Sequence, residues 1–313
     1  MIIETKAGFA AIIGAPNAGK STLVNKLVGS KVSIVTHKVQ TTRFPVRGVM
    51  MREQSQVVLV DTPGIFAPKR RLDRAMVRSA WEGATDADGI VHLIDARHWS
   101  GSGWKPDGAD QYEGPEEDEA IIGRLKELGK KAILALNKID LVDRPALLVA
   151  AKTLFDTGVY SDVMMISGLT GDGIEQLADL LAAKMPVGPY LFPEDQVADL
   201  PVRLLAAEVT REKLMLRLHQ EIPYQLTVET ETWEKHKNGA VKVEQMIHVA
   251  REGHRSIILG KGGQTIKEIG MASRKELQDI LGKPVHLFLR VKVSERWQDV
   301  RERYTALGLE FDS

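Results

Sequence analysis

The sequence predicts an α/β domain with a mostly parallel sheet covered by helices on both faces, followed by a smaller α+β unit. Three observations predict it. From Phe9 to about Met185, short apolar runs alternate with helical patterns. Four prolines then fall within MPVGPYLFPEDQVADLP, residues 185–201. After them the pattern changes to one helix, two long strands, further helices and a last strand. At 313 residues the chain is long enough for about two domains, each able to bury its own core.

In the first region, FAAII, VVLV, GIVHLI, AILAL and VMMI read as buried strands, each leading into a turn and usually a helix, which implies parallel pairing through crossover helices. The prolines stop regular structure and mark residues 186–201 as a linker between a first domain, 1–185, and a second, 202–293. In the second domain a helix is expected from about Val202 to Gln220, with strands from Tyr224 to Glu234 and from Val241 to Ala250. Two short helices around Ile266 and Lys275 and a strand from Val285 to Val293 complete it, and residues 294–313 form a helical tail. The loop from Trp99 to Pro115, rich in Gly and Asp, reads as a mobile surface insertion.

Composition removes several classes of function. With no Cys there are neither disulfides nor thiolate metal sites, which suits a reducing compartment, and the eight His are scattered without metal-binding spacing. MIIETKAGFA runs straight into a strand without a leader pattern, and no apolar run approaches the roughly 18 residues that cross a bilayer. A cytoplasmic chain is expected, with any membrane contact peripheral. The 42 basic and 42 acidic residues cancel, but locally residues 105–119 carry one Lys against seven carboxylates, and residues 251–292 nine Lys/Arg against four Asp/Glu. On charge alone both stretches read as solvated surface.

The strand FAAII is followed by GAPNAGKS and a helical TLVNKLVG, which fits GxxxxGK[ST] between a strand and a helix. In the loop Gly14-Ala15-Pro16-Asn17-Ala18-Gly19 the glycines would let backbone N–H groups curl around the β-phosphate, Lys20 would bridge the β- and γ-phosphates, and Ser21, followed by Thr22, would coordinate magnesium. NKID then selects the base. Asn137, Lys138, Ile139 and Asp140 follow AILAL; the Asp140 carboxylate can accept from guanine N1–H and its 2-amino group, which adenine cannot offer, while the Lys138 stem covers the ring. GTP and GDP are therefore the expected nucleotides. Ser167-Gly168-Leu169 takes the place of a second base-contacting loop.

In VDTPGIF, Asp61 would reach magnesium through a water, with Thr62, Pro63 and Gly64 beside the terminal phosphate. Thr41 or Thr42 of VQTTR would close over the γ-phosphate, and Thr42 is favoured. Ras-like switches place a water-orienting glutamine after the glycine, whereas this chain has Ile65. The catalytic set is then Lys20, Thr42 and Gly64, with water positioned by backbone and switch groups. Transition-state charge would be met in part by potassium held beside Asn17.

Within SIILGKGGQTIKEIG, residues 256–270, Gly260-Lys261-Gly262-Gly263 matches the GxxG loop of a KH domain, which lets a single-stranded RNA backbone approach between two helices. Ile257, Ile258, Ile266 and Ile269 would form the groove and its underlying core. The expected RNA contacts are Ile258, Gly260, Lys261, Gly262, Gly263 and Lys267. The element order, ending in VHLFLRVKV, fits a type II KH unit and gives the basic bias of residues 251–292 a purpose.

Taken together, GAPNAGKSTLVNKLVG, VQTTR, VDTPGIF, NKID, SGLTGDGI, REKLMLRLHQEIPY and IILGKGGQTIKEIG make the chain resemble the bacterial Era family of GTPases almost end to end. The resemblance implies GTP binding with magnesium, slow hydrolysis, recognition of the 3′ end of small-subunit ribosomal RNA, assistance to small-subunit maturation and some peripheral association with the inner face of the membrane. A monomer is expected. Two departures stand out: Gly168 replaces the family's usual Ala, at a position that contacts the base through its backbone, and the Trp99 to Pro115 loop is longer and more acidic than usual. A competing reading, motivated by Ile65, is an RNA-binding scaffold that binds guanine nucleotide without turning it over.

Overall fold

A computed structural model of the chain describes residues 4–99 and 115–312. It forms two compact units, one comprising Met1–Ser33, Thr42–Asp199 and Thr305–Ser313, the other Ile34–Thr41 and Leu200–Tyr304. From residue 100 to 114, the acidic loop expected between Trp99 and Pro115 lies outside the described residues.

The first unit runs β1 (Lys6–Ile13), α1 (Lys20–Val28), β2 (Val46–Arg52), β3 (Ser55–Asp61), α2 (Arg71–Asp86), β4 (Gly89–Asp95), α3 (Ala96–Trp99) and α4 (Pro115–Glu127). It continues through β5 (Ala132–Asn137), α5 (Arg144–Phe155), β6 (Tyr160–Met165), α6 (Ile174–Lys184) and β7 (Ala198–Asp199). Among the described residues the strands form one sheet in the order β6-β5-β4-β1-β3-β2-β7. The five strands read from the sequence are its parallel members, while β2 runs antiparallel to β3, and β7 to β2. All six residues of β5 are buried, as a strand covered on both faces requires.

Leu23, Val24 and Leu27 of α1 and Leu177 and Leu181 of α6 belong to one core cluster. Ala80 and Ala84 of α2, Ile121 and Leu125 of α4, and Leu147 and Leu154 of α5 belong to another. Because β1, β3 and β5 are parallel, the loops that follow them emerge at the same edge of the sheet. The proline-rich stretch is fastened to this unit: the Gln56 side chain accepts from the Leu191 and Phe192 amides at 2.8 and 2.9 Å and donates to the Phe192 carbonyl at 2.8 Å.

The second unit contains α7 (Val202–Arg217), β8 (Leu226–Lys235), β9 (Val241–Val249), α8 (Glu252–Leu259), α9 (Gln264–Leu281) and β10 (Val285–Val293), and its last residue, Tyr304, lies within α10 (Arg301–Ala306). Its sheet has the order β10-β9-β8, β10 parallel and β8 antiparallel to β9. The helix expected to reach Gln220 ends at Arg217, and a 3-10 turn, Ile222–Gln225, precedes the first strand. Instead of two short helices around Ile266 and Lys275, one helix of 18 residues follows the glycine loop, and α8 precedes it. Its buried residues Ile269, Ser273 and Leu277 recur every four positions, so one inward stripe carries the helix through Gly270 despite that residue's poor intrinsic propensity.

Candidate functional site

The phosphate loop joins β1 to α1, with Lys20 as the first residue of the helix. The buried Lys20 ammonium donates to the carbonyls of Gly14 at 2.9 Å and Ala15 at 2.8 Å. Burial pushes its pKa down to about 8, against the opposing charges of Asp61 and Asp118. Gly19 has φ 102°, and a Cβ there would come within 2.5 Å of Asn137 Nδ2, so a side chain is excluded by both conformation and space.

Asn137 is buried and braces three loops. Its amide donates to Ala18 O at 2.7 Å, its oxygen accepts from the Gly168 amide at 2.9 Å, and it opens the NKID segment itself. Lys138 adopts a left-handed conformation, φ 64°, and its ammonium donates to Asn17 O at 2.7 Å and to Asp95 Oδ2 at 2.6 Å. Asp140 is exposed in a 3-10 turn, Ile139–Leu141, where its carboxylate can meet a base edge. In the companion loop the buried Ser167 hydroxyl accepts from Thr170 N at 3.1 Å, and Leu169 is exposed.

At the magnesium end, the Ser21 and Thr42 hydroxyls lie 2.9 Å apart, and Thr42 donates to Asp61 Oδ2 at 3.2 Å. Asp61 is fully buried and its Oδ1 has no hydrogen-bond partner. Burial pushes this carboxyl up, opposed by the hydroxyls of Ser21 and Ser33 and the charge of Lys20. Two hydroxyls and one carboxylate, whose Oδ1 is the orphaned atom, make an all-oxygen set that fits magnesium, which takes few protein ligands when substrate phosphates supply the rest. Thr41 faces elsewhere: its hydroxyl bonds to Thr36 Oγ1 at 2.6 Å and to Lys38 O at 2.7 Å, and its carbonyl accepts from Arg211.

The Thr62 hydroxyl is committed to Ile12 O at 2.7 Å and so ties β3 to β1. Gly64 lies against Pro16, where a Cβ would approach within 3.0 Å. The Ile65 amide donates to Gly14 O at 3.1 Å, while its side chain, 6% exposed, belongs to the core cluster containing Ile13 and Ala96. Ile65 is thus a core residue by its side chain and a phosphate-loop brace by its backbone.

In the second unit the loop Gly260–Gly263 connects α8 to α9, with positive φ at Gly260, Gly262 and Gly263. A Cβ on Gly260 would lie 2.2 Å from Thr265 Oγ1, whereas Gly262 faces open space. Lys261 and Lys267 are exposed. Beyond the loop runs a groove of about 580 Å³, lined by Ile266, Lys267, Gly270, Met271 and Arg274 of α9, Leu287 to Arg290 of β10, and Glu244 of β9. Ile258, expected among the RNA contacts, is instead fully buried in the core cluster that also holds Ile269. On α8, His254 and Ile258 share the inward face four residues apart, which turns Ile257 outward at 51% exposure. Sequence reasoning missed Met271, Arg274, Phe288 and Arg290; the signal was an apolar Phe at a solvent-facing position of the alternating β10. It also missed Asp95, the partner of Lys138.

Comparison with known proteins matches residues 9–138 to a family described as 50S ribosome-binding GTPase and residues 221–298 to the KH domain family. GTPase Era of Caulobacter vibrioides is 60% identical over 309 residues, covering 99% of this chain and 98% of its own. GTPase Era of Maricaulis maris is 55% identical, covering 98% of each. Among solved structures, a variant of Aquifex aeolicus Era bound to GDP and AlF4- has a TM-score of 0.86 at 37% identity, over 97% of this chain and 99% of that one. Era in complex with MgGDPNP and nucleotides 1506–1542 of 16S ribosomal RNA also has a TM-score of 0.86, at 38% identity over the same shares.

Proposed function

The chain belongs to the Era family of GTPases, and from that premise we propose that it is a GTP-binding, slowly GTP-hydrolysing switch that binds the 3′ end of small-subunit ribosomal RNA and assists small-subunit maturation. The observation that carries the reading is the likeness, over 97% of the chain, to an Era that holds a magnesium-bound guanine nucleotide and that RNA together. Each ligand then has a set of residues that suits it. Lys20 and the Gly14 to Gly19 loop take the phosphates, Asp140 and Lys138 the base, Ser21, Thr42 and Asp61 the magnesium. When bound, magnesium neutralises charge on the β- and γ-phosphates. The GxxG loop with Lys261 takes the RNA backbone, and the groove behind it the bases.

Asn17 supports a place for potassium: its backbone carbonyl is used by Lys138, while the residue itself is exposed beside the phosphate loop. Ile65, with no polar side-chain atom, favours the second reading, a nucleotide-binding scaffold without turnover, and phosphate release separates the two. We place the protein in the cytoplasm, where the ribosomal RNA of the reading is found, as a monomer with any membrane association peripheral; among the described residues no helix is long and apolar enough to cross a bilayer. The guanine assignment is tested with Asp140→Asn. The amide should weaken GTP binding by about a hundredfold and raise preference for xanthosine triphosphate, whose 2-oxo group suits it. Unchanged GTP affinity would remove Asp140 from the site.

A further inference from the structure

The NKID lysine is held by a carboxylate that belongs to none of the nucleotide motifs. We infer that Asp95 is a positioning residue for guanine-nucleotide recognition, fixing the Lys138 ammonium against the phosphate loop so that the lysine stem lies where the base must stack. The inference rests on the nucleotide reading above and adds a residue to it.

Asp95 is the last residue of β4, and the parallel register of β4 with β5 sets it opposite Asn137, one residue before Lys138. The left-handed turn at Lys138 then brings its ammonium onto Asp95 Oδ2 at 2.6 Å and Asn17 O at 2.7 Å. Strand pairing and one backbone turn thus lock the lysine between β4 and the phosphate loop. Asp95 is 2% exposed, and Arg97 of α3 clasps both its oxygens, at 2.9 and 2.6 Å. His98 Nε2 stands 3.6 Å from Oδ2.

The electrostatics agree with the geometry. Burial works against the Asp95 charge, but the hydrogen bond from Arg97 and the charge of Lys138 overcome it and hold the carboxyl below its ordinary range. For Lys138, burial pulls the pKa down and Asp95 is the foremost opposing influence, ahead of the exposed Asp140. Without the carboxylate, Lys138 and Arg97 would lose the anion that both contact in a partly desolvated pocket, and their mutual repulsion would favour moving the lysine out. The alternative role for Asp95 is local: Oδ1 also accepts from Arg97 N at 3.2 Å and so starts the four-residue α3. A cap of that kind has no reason to distinguish a nucleotide from its phosphates.

The test uses the full chain and calorimetry with Mg2+, comparing GDP with pyrophosphate for the parent, Asp95→Asn, Lys138→Met and the double variant. Asp95→Asn should weaken GDP about tenfold or more while pyrophosphate stays within about twofold. Added to Lys138→Met it should cost nothing further, because Asp95 acts through that lysine. Should Asp95→Asn fail to fold because Arg97 loses this carboxylate, Asp95→Asn with Arg97→Gln removes the surplus charge and should show the same loss of GDP alone. The inference is overturned by unchanged GDP affinity, by equal losses of GDP and pyrophosphate, or by additivity with Lys138→Met. Preference of the parent for GDP over ADP is measured first; its absence would overturn the nucleotide reading itself.

Discussion

The hydroxyls of Ser21 and Thr42 meet at 2.9 Å, and Thr42 reaches on to Asp61 at 3.2 Å, while the neighbouring Thr41 hydroxyl bonds to Thr36 and Lys38. Two adjacent threonines therefore have unequal consequences. Thr42→Ala should lower GTP hydrolysis and magnesium affinity by about ten- to a hundredfold, as loss of a metal-site oxygen does elsewhere. Thr41→Ala should leave the magnesium dependence within about twofold of the parent. A magnesium titration of phosphate release on both variants checks the assignment, and equal effects would contradict it.

Lys20 links nucleotide binding to pH. Its pKa, lowered from 10.5 to about 8 by burial, rises again when phosphate charge arrives, so binding takes up a proton above pH 8. GDP affinity should be level near neutrality and fall above pH 8, by at most about tenfold per unit. Stability of the nucleotide-free protein responds with the opposite sign. Between pH 8 and 10.5 the unfolded lysine holds its proton and the folded one does not, so this group makes the fold more stable as pH rises. Calorimetric GDP titrations from pH 7 to 9 check the first trend, and a flat profile would contradict it.

The GxxG loop admits a clean disruption. Gly262, at φ 61°, has open space where a Cβ would point, and Asp tolerates that conformation better than most residues, so Lys261→Asp with Gly262→Asp should fold. Affinity for a single-stranded oligonucleotide should fall by about tenfold or more while GDP affinity persists. The parent's RNA affinity should weaken with rising salt, and the double variant should show a shallower salt slope, since a phosphate contact is gone. Unchanged RNA binding would remove the loop from the interface.

Ile65, at 6% exposure, links the hydrolysis question to the core. Ile65→Ala should lower stability by about 2–4 kcal/mol through the cavity it leaves. Hydrolysis per folded molecule should stay close to the parent, because an apolar side chain orients no water. Turnover should also be faster in potassium than in sodium at matched ionic strength, and Asn17→Ala should erase that preference. Loss of turnover in Ile65→Ala at temperatures where it remains folded would show that the side chain does more than pack.

The motifs of both candidate sites were legible largely because their spacing is set by local geometry. A loop of glycines before a helix, NKID after a buried strand and GKGG between helices each require particular residues within a few positions. What escaped depended on contacts distant in sequence. Asp95 meets Lys138 only because β4 and β5 are paired, and nothing in LIDARHW announces a partner 43 residues away. Ile258 was misplaced because the helix before the glycine loop had no bounds in the sequence reading, and without its period the inward face of SIIL cannot be chosen. β2, VRGVMMR, breaks its apolar run with Gly48 and charged ends, as an antiparallel strand toward the sheet's edge can. Thr42 was favoured over Thr41 in VQTTR without a contact to decide it; the structure supplies one, setting the Thr42 hydroxyl beside Ser21 and the Thr41 hydroxyl beside Thr36.

The central claim is that one chain couples an RNA-reading unit to a GTP site that turns over. It is tested most directly by phosphate release from GTP, measured with and without an RNA oligonucleotide ending like the 3′ tail of small-subunit ribosomal RNA. Release should be slow for the protein alone, faster with that oligonucleotide, and not accelerated in the variant carrying Lys261→Asp and Gly262→Asp. Release no greater than background in every condition, with guanine nucleotide nonetheless bound, would contradict it and leave the scaffold reading.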